Sequence, residues 1–286
     1  MTRTAPITLA LPKGRMFPSV VELLARAGLG ISGHERSYRP GSSDPRVALK
    51  ILKPQDIPAL VELGRHDLGF TGRDWIVETG CEVVELDDLG LDPVRLVVAG
   101  PAAWSPPTDP DVTVVVASEY EQISRRYFAT RGWPCRVVRS HGATEVFPPE
   151  DADLIVDNAA TGRTLRENGL VEFDEIMRST TRFVGGARAL ERPDVRQLAD
   201  DLALLMRGVR AAESRVILEL NVNNGNMDRI VALLPAMKNP TVARLADGSH
   251  ALKAAVPQAD VARLIPQLKA LGATDILEYP IRKVIL

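Results

Sequence analysis

The sequence has little of what a disulfide scaffold, a metal centre or a membrane span requires. Only two cysteines, Cys81 and Cys135, occur among 286 residues, and their spacing is not that of a metal site. An average-sized core needs no disulfide, so we interpret both as reduced thiols. No run approaches the roughly 18 apolar residues of a transmembrane helix, and the short apolar stretch before Pro12 does not suffice for a signal peptide. We therefore expect a soluble, cytoplasmic protein that spans no membrane.

Charge of one sign is also scarce. The chain has 35 Lys and Arg against 37 Asp and Glu, so its net charge is −2. It offers no chain-wide basic field for nucleic acid or for an anionic membrane surface. Hydrophobic residues make up 45% and charged residues 25%, as in ordinary globular proteins, which excludes disordered, collagen-like and coiled-coil chains. The length allows two or three domains.

Common catalytic signatures are missing as well. The sequence contains no Gly-x-Ser-x-Gly elbow and no Walker A motif. Its histidines show no metal-ligand spacing; they are His34, His66, His141 and His250. The functional site must therefore be found in the organisation of the chain.

The first two thirds of the chain alternate strand patterns with helical patterns, which predicts an α/β class with largely parallel sheets. The predicted strands of the first block are 7–11, 47–52, 67–71, 82–86 and 94–99. A proline-rich break at 100–111 follows, and the pattern then restarts as a smaller copy with strands at 112–117, 136–139 and 154–157. We predict one lobe at 1–99, completed by about 186–213, and a second at 100–185. Two such lobes enclose a cleft, a favoured place for ligands.

A long helical pattern at 192–213 precedes a segment of different character. Residues 214–286 follow the order βαββαβ, which is typical of the ferredoxin-like fold. Modules of this kind often bind small effectors or mediate assembly. We place a domain boundary near residue 213.

The most informative segment is 153–165, a buried strand followed by a loop of small residues and a helix. Asp157 ends the strand, where ligands bind in open α/β sheets. Its carboxylate suits the hydroxyls of a ribose, and the glycine, the hydroxyls and the helix N-terminus suit a phosphate. The predicted phosphoribosyl-binding residues are Asp157, Ala160, Thr161, Gly162, Arg163 and Thr164. The alternative is an ordinary strand-to-helix turn with a capping threonine.

Two further turns at strand ends combine glycine with cations. One contains Lys13, Gly14 and Arg15, and the other contains Gly72 and Arg73. Arginine presents planar, bidentate donors that match phosphate oxygens. The three turns together predict a cleft lined for an extended polyanion, with these five residues on its pyrophosphate. Solvated surface cations are the alternative for any one of them.

The matches to a known family run nearly from end to end of the chain. The matching segments are LPKGR at 11–15, KPQDI at 53–57, DLGFTGRD at 67–74, RRYF at 125–128, TGRTLRENGL at 161–170, LLPAM at 233–237, PT at 240–241 and LGA at 271–273. In these segments the chain resembles the ATP phosphoribosyltransferases of histidine biosynthesis, in the long form with a C-terminal regulatory domain.

The resemblance implies a periplasmic-binding-protein-like pair of catalytic lobes and a defined reaction. N1 of ATP attacks C1 of phosphoribosyl pyrophosphate, which releases pyrophosphate with Mg²⁺ as cofactor and starts histidine biosynthesis. The residues then expected to be catalytic are Lys13, Arg15, Arg73 and Asp157. Catalysis would come from positioning and from cations on the leaving group, so we name no general base.

The resemblance also implies feedback inhibition by L-histidine and a homo-oligomer, a hexamer. Thr241 lies in the segment associated with the histidine pocket, and Asn221 stands where some relatives have an aspartate. An amide accepts a hydrogen bond but carries no charge, so weaker inhibition is one expectation.

Three other functions stay open at this stage. The segment Asn158-Ala159-Ala160 departs from the residues that often precede Thr-Gly in the family, so a paralogous phosphoribosyltransferase with another acceptor is one. A bilobal small-molecule binding protein without catalysis and a non-catalytic regulatory subunit are the others.

Overall fold

The computed structural model describes residues 5–109, 111–237 and 239–285; Pro110 of the proline-rich break and the first four residues lie outside the described part. The chain divides into two compact units. One comprises the residues up to 25 together with 29–203, and the other comprises 26–28 and the residues from 204 onward. None of the described helices is both long and apolar enough to cross a bilayer.

The first unit consists of twelve strands and six helices among the described residues. In chain order they are β1 (Ile7–Pro12), α1 (Met16–Ala27), β2 (Ile31–Ser32), β3 (Gly41–Ser42), β4 (Val47–Leu52), α2 (Ile57–Glu62), β5 (Leu68–Gly72), α3 (Arg73–Thr79), β6 (Val84–Asp88), β7 (Val94–Pro101), β8 (Val114–Ser118), α4 (Glu121–Thr130), β9 (Cys135–Arg139), β10 (Leu154–Ala159), α5 (Arg163–Glu167), β11 (Leu170–Ser179), β12 (Thr181–Gly185) and α6 (Pro193–Glu213). The last residues of α1 and α6 fall in the second unit.

Two five-stranded sheets with the same internal order form the first unit. The first sheet has the order β4-β1-β5-β12-β6, and the second has β9-β8-β10-β7-β11. In each, the first three strands are parallel and the fourth is antiparallel to both its neighbours. The second lobe therefore repeats the first, as the sequence pattern predicts.

The sheets are mixed, whereas the sequence pattern predicts largely parallel sheets. The reason is that each lobe receives its fourth strand from a crossover. β7 follows β6 along the chain yet pairs with β10 and β11, and β12 follows β11 yet pairs with β5 and β6. Residues 94–99 therefore lie in the second sheet, whereas the predicted first lobe extends to residue 99. Residues 181–185 lie in the first sheet, whereas the predicted second lobe extends to residue 185.

The apolar runs at the centre of each sheet are buried because helices cover both faces. All five residues of β5 are buried, as are the first three of β10. Phe70 of β5 stacks on Phe183 of the crossover strand β12, with ring centroids 4.9 Å apart. The sequence pattern did not predict β11, because five of its ten residues are polar and they do not alternate regularly with the apolar ones; two register shifts interrupt its pairing with β7.

The second unit contains a four-stranded antiparallel sheet with two helices on one face. Its elements are β13 (Arg215–Val222), α7 (Met227–Leu233), β14 (Thr241–Arg244), β15 (His250–Pro257), α8 (Val261–Ala270) and β16 (Thr274–Pro280). The sheet order is β14-β15-β13-β16, so the predicted ferredoxin-like arrangement is confirmed. Burial alternates along β13, and its buried side chains pack with those of α7 and α8.

Asp67 connects β1, β5 and the start of α6 within the first unit. One carboxylate oxygen accepts hydrogen bonds from the backbone N–H and the hydroxyl of Thr8, at 2.7 and 2.9 Å. The other accepts from Arg192 at 3.1 Å. Removing this carboxylate leaves half-buried donors of Thr8 and Arg192 without this partner.

We expect Asp67→Ala to lower the free energy of unfolding by about 2–4 kcal/mol, because several hydrogen bonds are lost together. The measurement is the midpoint of urea unfolding. Asp44→Ala is the matched control, since Asp44 pairs locally with exposed Arg46 and such pairs contribute at most about 1 kcal/mol. Equal midpoints for the two variants would contradict the role given to Asp67.

Candidate functional site

The three predicted turns lie at the carboxyl ends of parallel strands. β1 and β5 are neighbours in the first sheet, so the turn with Lys13 and Arg15 and the turn with Gly72 and Arg73 start side by side. The loop after β10 occupies the corresponding place in the second sheet. Ligands bind at this edge in open α/β sheets.

One cavity, which we call the loop cavity, brings together all the predicted phosphoribosyl-binding residues. It has a volume of about 290 Å³. The residues that line it are Arg15, Glu145, Asp157, Asn158, Ala159, Ala160, Thr161, Gly162, Arg163, Thr164 and Leu165. Arg15 comes from the first lobe and the others from the second. A cavity lined by two arginines, two carboxylates and two hydroxyls is suited to a phosphorylated sugar.

Gly162 is a glycine for two structural reasons. Its φ of +67° is in the left-handed region, and a Cβ there would lie 2.4 Å from Oε1 of Glu172. Glu172 is itself held by Arg95 at 2.7 Å. The helix that follows has only five residues, so its dipole contributes little and the turn itself must form the cradle. Arg163 extends outward to Glu167 at 2.7 Å, with 79% of its side chain exposed.

Asp157 lies half-buried in the loop cavity. Burial, together with the nearby carboxylates of Glu145 and Glu119, raises the pKa of its carboxyl to about 6. Hydrogen bonds from the N–H of Asn158, at 2.7 Å, and from the side chain of Thr144 act in the opposite direction. A carboxylate that is costly to ionise without a ligand is typical of a functional site.

A second cavity, which we call the cleft, lies between the two lobes and has a volume of about 400 Å³. Its lining includes Lys13, Arg15 and Gly72 from the predicted turns, and Glu119, Tyr120 and Asn158 from the second lobe. Arg15 and Asn158 line both the cleft and the loop cavity. A ligand in one cavity therefore adjoins a ligand in the other at these two residues.

Lys13 and Arg15 are exposed cations, available to an anionic ligand. Within the described ranges neither forms a salt bridge; Lys13 lies 3.5 Å from the hydroxyl of Tyr38. Gly14, with φ of +80°, donates its N–H to Glu35 at 2.6 Å. Arg73 is exposed and lines neither the cleft nor the loop cavity. Of the predicted cations, the structure brings Lys13 and Arg15 together and leaves Arg73 apart.

Gly72 makes room for a neighbouring side chain. A Cβ at Gly72 would lie 2.1 Å from Oδ1 of Asp74. Asp74 is buried, and its carboxylate accepts hydrogen bonds from Ser179 at 2.6 Å and from Tyr120 at 2.7 Å. The glycine expected to approach a pyrophosphate thus admits an internal carboxylate.

Sequence reasoning missed several residues that line the cleft or the cavity next to it. That adjacent cavity, of about 300 Å³, includes Lys53, Trp75 and Arg139 in its lining. Lys53 follows β4 and Tyr120 follows β8, and both strands are parallel to strands whose turns were identified. The carboxyl-end rule, applied to every parallel strand, would have found both.

The predicted regulatory residues lie on two strands of the second unit. Asn221 is on β13 and Thr241 on β14, with β15 between them. The amide of Asn221 donates to Oδ2 of Asp275 at 3.0 Å. Asp275 thus places a carboxylate beside the residue that lacks one.

Comparison with known proteins decides the family. A family model described as ATP phosphoribosyltransferase matches residues 53–207, and one described as HisG, C-terminal domain, matches 212–283. The ATP phosphoribosyltransferase of Koribacter versatilis is 37% identical over 98% of this chain and 99% of its own. That of Chlorobium chlorochromatii is 36% identical over 98% and 97%. The chain belongs to the ATP phosphoribosyltransferase family.

A solved structure agrees with this membership. It is described as the ATP phosphoribosyl transferase (HisG:HisZ) complex from Thermotoga maritima, is 28% identical, and superposes with a TM-score of 0.62 over 70% of this chain and 98% of its own. The reaction of the family is the first step of histidine biosynthesis, in which ATP and phosphoribosyl pyrophosphate form phosphoribosyl-ATP and pyrophosphate. The chain is therefore a transferase, and the predicted fold class and family are confirmed.

Gly162→Val tests the loop that follows β10. A β-branched residue at positive φ costs about 1–3 kcal/mol, and the clash with Glu172 adds to this, so we expect affinity for phosphoribosyl pyrophosphate to fall roughly 10- to 100-fold. Arg163→Ala should change it less than about threefold, since that side chain extends outward. Calorimetric titration measures both. Gly132→Val is the control, because Gly132 has φ of +69° in open space. Equal affinity in Gly162→Val and the unmodified protein would remove the loop from the site.

Asp157→Asn tests the raised pKa. The ionised carboxylate accepts hydrogen bonds from both ribose hydroxyls, so kcat/KM for phosphoribosyl pyrophosphate should rise with pH through about 6 and then level. Asp157→Asn should lower kcat/KM and remove this limb. A limb that persists unchanged in the variant would belong to the substrate phosphates instead.

The same substitution has a predicted effect on stability. The pKa in the folded protein lies above the ordinary 3.8, so ionisation at neutral pH opposes folding. At pH 7.5 we expect Asp157→Asn to stabilise the protein by up to about 2 kcal/mol in urea unfolding. This gain should disappear below about pH 4, where both states are protonated.

Proposed function

We propose that the loop cavity and the cleft hold the two substrates of this transferase. The observation that carries this is the pair Arg15 and Asn158, which lines both spaces. The phosphoribosyl part of phosphoribosyl pyrophosphate occupies the loop cavity, with its phosphate on Thr161, Gly162 and Thr164. The ribose hydroxyls lie against Asp157.

The pyrophosphate then extends into the cleft toward Lys13 and Arg15. Bond breaking at C1 leaves oxocarbenium character on the ribose and negative charge on the leaving pyrophosphate. Cations already in place at that charge stabilise the transition state without reorganising. Arg73 lies apart from both cavities, so we assign it at most a minor part in this step.

ATP approaches from the other side of the cleft. Trp75 lines both the cleft and the adjacent cavity, and the latter also contains Lys53, Arg139 and His141. These side chains suit a purine ring and a triphosphate. N1 of adenine then meets C1 of the ribose at the junction of the cavities.

Mg²⁺ enters with the substrate in this proposal. The described residues contain no cluster of three His, Cys, Asp or Glu side chains that could hold a metal ion. Mg²⁺ is commonly held by one or two carboxylates together with substrate phosphates, and Glu119 is a carboxylate that lines the cleft, where the pyrophosphate is placed. When bound, the ion neutralises charge on the pyrophosphate.

The second unit is proposed to sense L-histidine. Asp275 supplies the negative charge that Asn221 lacks, so the pocket can still pair with an ammonium group. Thr241, exposed on the edge strand β14, supplies a hydroxyl. Inhibition then requires the Asn221–Asp275 pair rather than an aspartate at 221.

We also propose that copies of this chain assemble, as a hexamer, in the cytoplasm. The helices of the second unit cover one face of its sheet, and the other face exposes apolar side chains, among them Leu277 and Tyr279, 48% and 43% exposed. Such a face favours burial against another copy. Light scattering of the purified protein tests the number of copies.

The decisive experiment is an ultraviolet-absorbance assay with ATP, phosphoribosyl pyrophosphate, Mg²⁺ and pyrophosphatase, with and without L-histidine. We expect product formation, suppressed by histidine. Asp275→Asn should keep the catalytic rate and raise the histidine concentration for half inhibition at least tenfold, the equivalent of about 1.4 kcal/mol. Unchanged inhibition in this variant would contradict the role of Asp275. If no product forms although phosphoribosyl pyrophosphate binds, the result would favour a transferase with another acceptor. If neither product nor binding of phosphoribosyl pyrophosphate is observed, the result would favour a binding or regulatory protein.

A further inference from the structure

A chain of hydrogen bonds crosses the cleft and ends at Asn158. Ser179 donates to Oδ1 of Asp74 at 2.6 Å, and Tyr120 donates to Oδ2 at 2.7 Å. The side-chain amide of Asn158 lies 3.3 Å from the Tyr120 oxygen. Asp74, Tyr120 and Ser179 are all buried, whereas Asn158 lies at the junction of the cleft and the loop cavity.

The buried carboxylate sets the direction of every hydrogen bond in this chain. The Ser179 hydroxyl accepts from the N–H of Asp74 at 3.0 Å, so its own hydrogen goes to the carboxylate. Tyr120 has a single hydrogen, and burial and the Asp74 charge hold its pKa well above the ordinary value. It donates that hydrogen to Asp74 and can only accept from Asn158.

It follows that the NH₂ end of the Asn158 amide faces Tyr120. The carbonyl end, Oδ1, is then the free end, and within 5–109, 111–237 and 239–285 no donor to it is found. An amide without this constraint presents either end, since its two ends are similar in size and opposite in hydrogen-bonding character. Here the fold selects an acceptor.

An acceptor at this junction matches the chemistry of adenine. The attacking N1 is adjacent to C6, which carries an amino group. As N1 bonds to C1 of the ribose, positive charge spreads over N1, C6 and the amino nitrogen, and the N–H groups become stronger donors. A fixed acceptor stabilises this charge in the transition state more than in the ground state.

We propose that Oδ1 of Asn158 accepts a hydrogen bond from the 6-amino group of ATP, and that Tyr120 and Asp74 are positioning residues that hold the amide in this orientation. The inference rests on the substrate placement proposed above. This hydrogen bond makes Asn158 a determinant of nucleotide specificity. A purine with a carbonyl at C6 would place a second hydrogen-bond acceptor against Oδ1 of Asn158.

The surroundings of the chain hold it in place. The ring of Trp75 stacks on that of Tyr120, with centroids 4.4 Å apart and planes 21° apart. The N–H of Tyr120 donates to Ser118 at 2.9 Å, and the Ser118 hydroxyl donates to the carbonyl of Val156 at 2.6 Å. Gly72 leaves the space that the Asp74 carboxylate fills. Ring, backbone and carboxylate are therefore each fixed independently of a ligand.

A cycle of two enzymes and two nucleotides tests the proposal. The probes are ATP and purine riboside 5′-triphosphate, which keeps N1 but lacks the 6-amino group. The enzymes are the unmodified protein and Asn158→Leu, a variant of similar size. The lower nucleophilicity of the analogue is common to both enzymes and cancels in the ratio of kcat/KM values.

We expect Asn158→Leu to lower kcat/KM for ATP roughly 10- to 100-fold more than kcat/KM for the analogue, the effect of one hydrogen bond to a charged group. Any change in affinity for phosphoribosyl pyrophosphate is measured by calorimetric titration; it is common to both nucleotides and cancels in the ratio. Equal loss for both nucleotides would overturn the proposal. Absence of activity with ATP in the unmodified protein would instead overturn the proposed function.

Tyr120→Phe provides a second test if Asn158→Leu folds poorly. It keeps the ring stack and removes the hydroxyl that orients the amide, so preference for ATP over the analogue should fall about 3- to 30-fold. Tyr127→Phe is the matched control. Tyr127, in α4, also donates to a carboxylate, that of Asp174 at 2.8 Å, but it lines neither the cleft nor the loop cavity. An unchanged preference in Tyr120→Phe would refute its positioning role.

Discussion

The buried hydrogen bond from Tyr120 to Asp74 is the interaction on which the geometry of the cleft depends. Asp74 begins the helix after β5 in the first lobe, and Tyr120 follows β8 in the second. A buried carboxylate is costly unless its oxygens are paired, and here both are paired, one by Tyr120 and the other by Ser179 at the end of β11. Separation of the lobes at this point would break the hydrogen bond from Tyr120 to Asp74. The two strand ends that carry the substrate-binding turns are therefore held at a defined distance.

Topology explains why two lobes present such matching edges. Each sheet places three parallel strands with their carboxyl ends at one edge, and each takes its fourth strand from the chain as it crosses. The exchanged strands β7 and β12 connect the lobes twice, and Ser179, at the end of the second crossover, supplies the hydroxyl that completes the pairing of Asp74. The crossover thus contributes directly to the site and is more than a linker.

Local pattern was sufficient for the parts of this architecture that depend on local chemistry. Apolar runs identified β1, β4 and β10, and the glycine-containing turns after the strands identified the loop cavity. It was insufficient wherever a partner lies far along the chain. The crossover strand β12 has only five residues, and it pairs with β5, whose residues lie more than 100 positions away along the chain. Asp74 could not be singled out from the sequence, because its partner Tyr120 belongs to the other lobe.

The same limit applies to the two glycines of the predicted turns. Their sequence context suggests close approach to an anion, whereas the structure shows a nearby carboxylate in each case, from Asp74 at Gly72 and from Glu172 at Gly162. A glycine in the sequence indicates that a side chain would be too close to another group, but only the fold shows which group that is. For function the distinction matters. A side chain at Gly72 would displace Asp74, release Tyr120 and allow the Asn158 amide to turn, so that a change at this glycine would act on the choice of nucleotide through three other side chains.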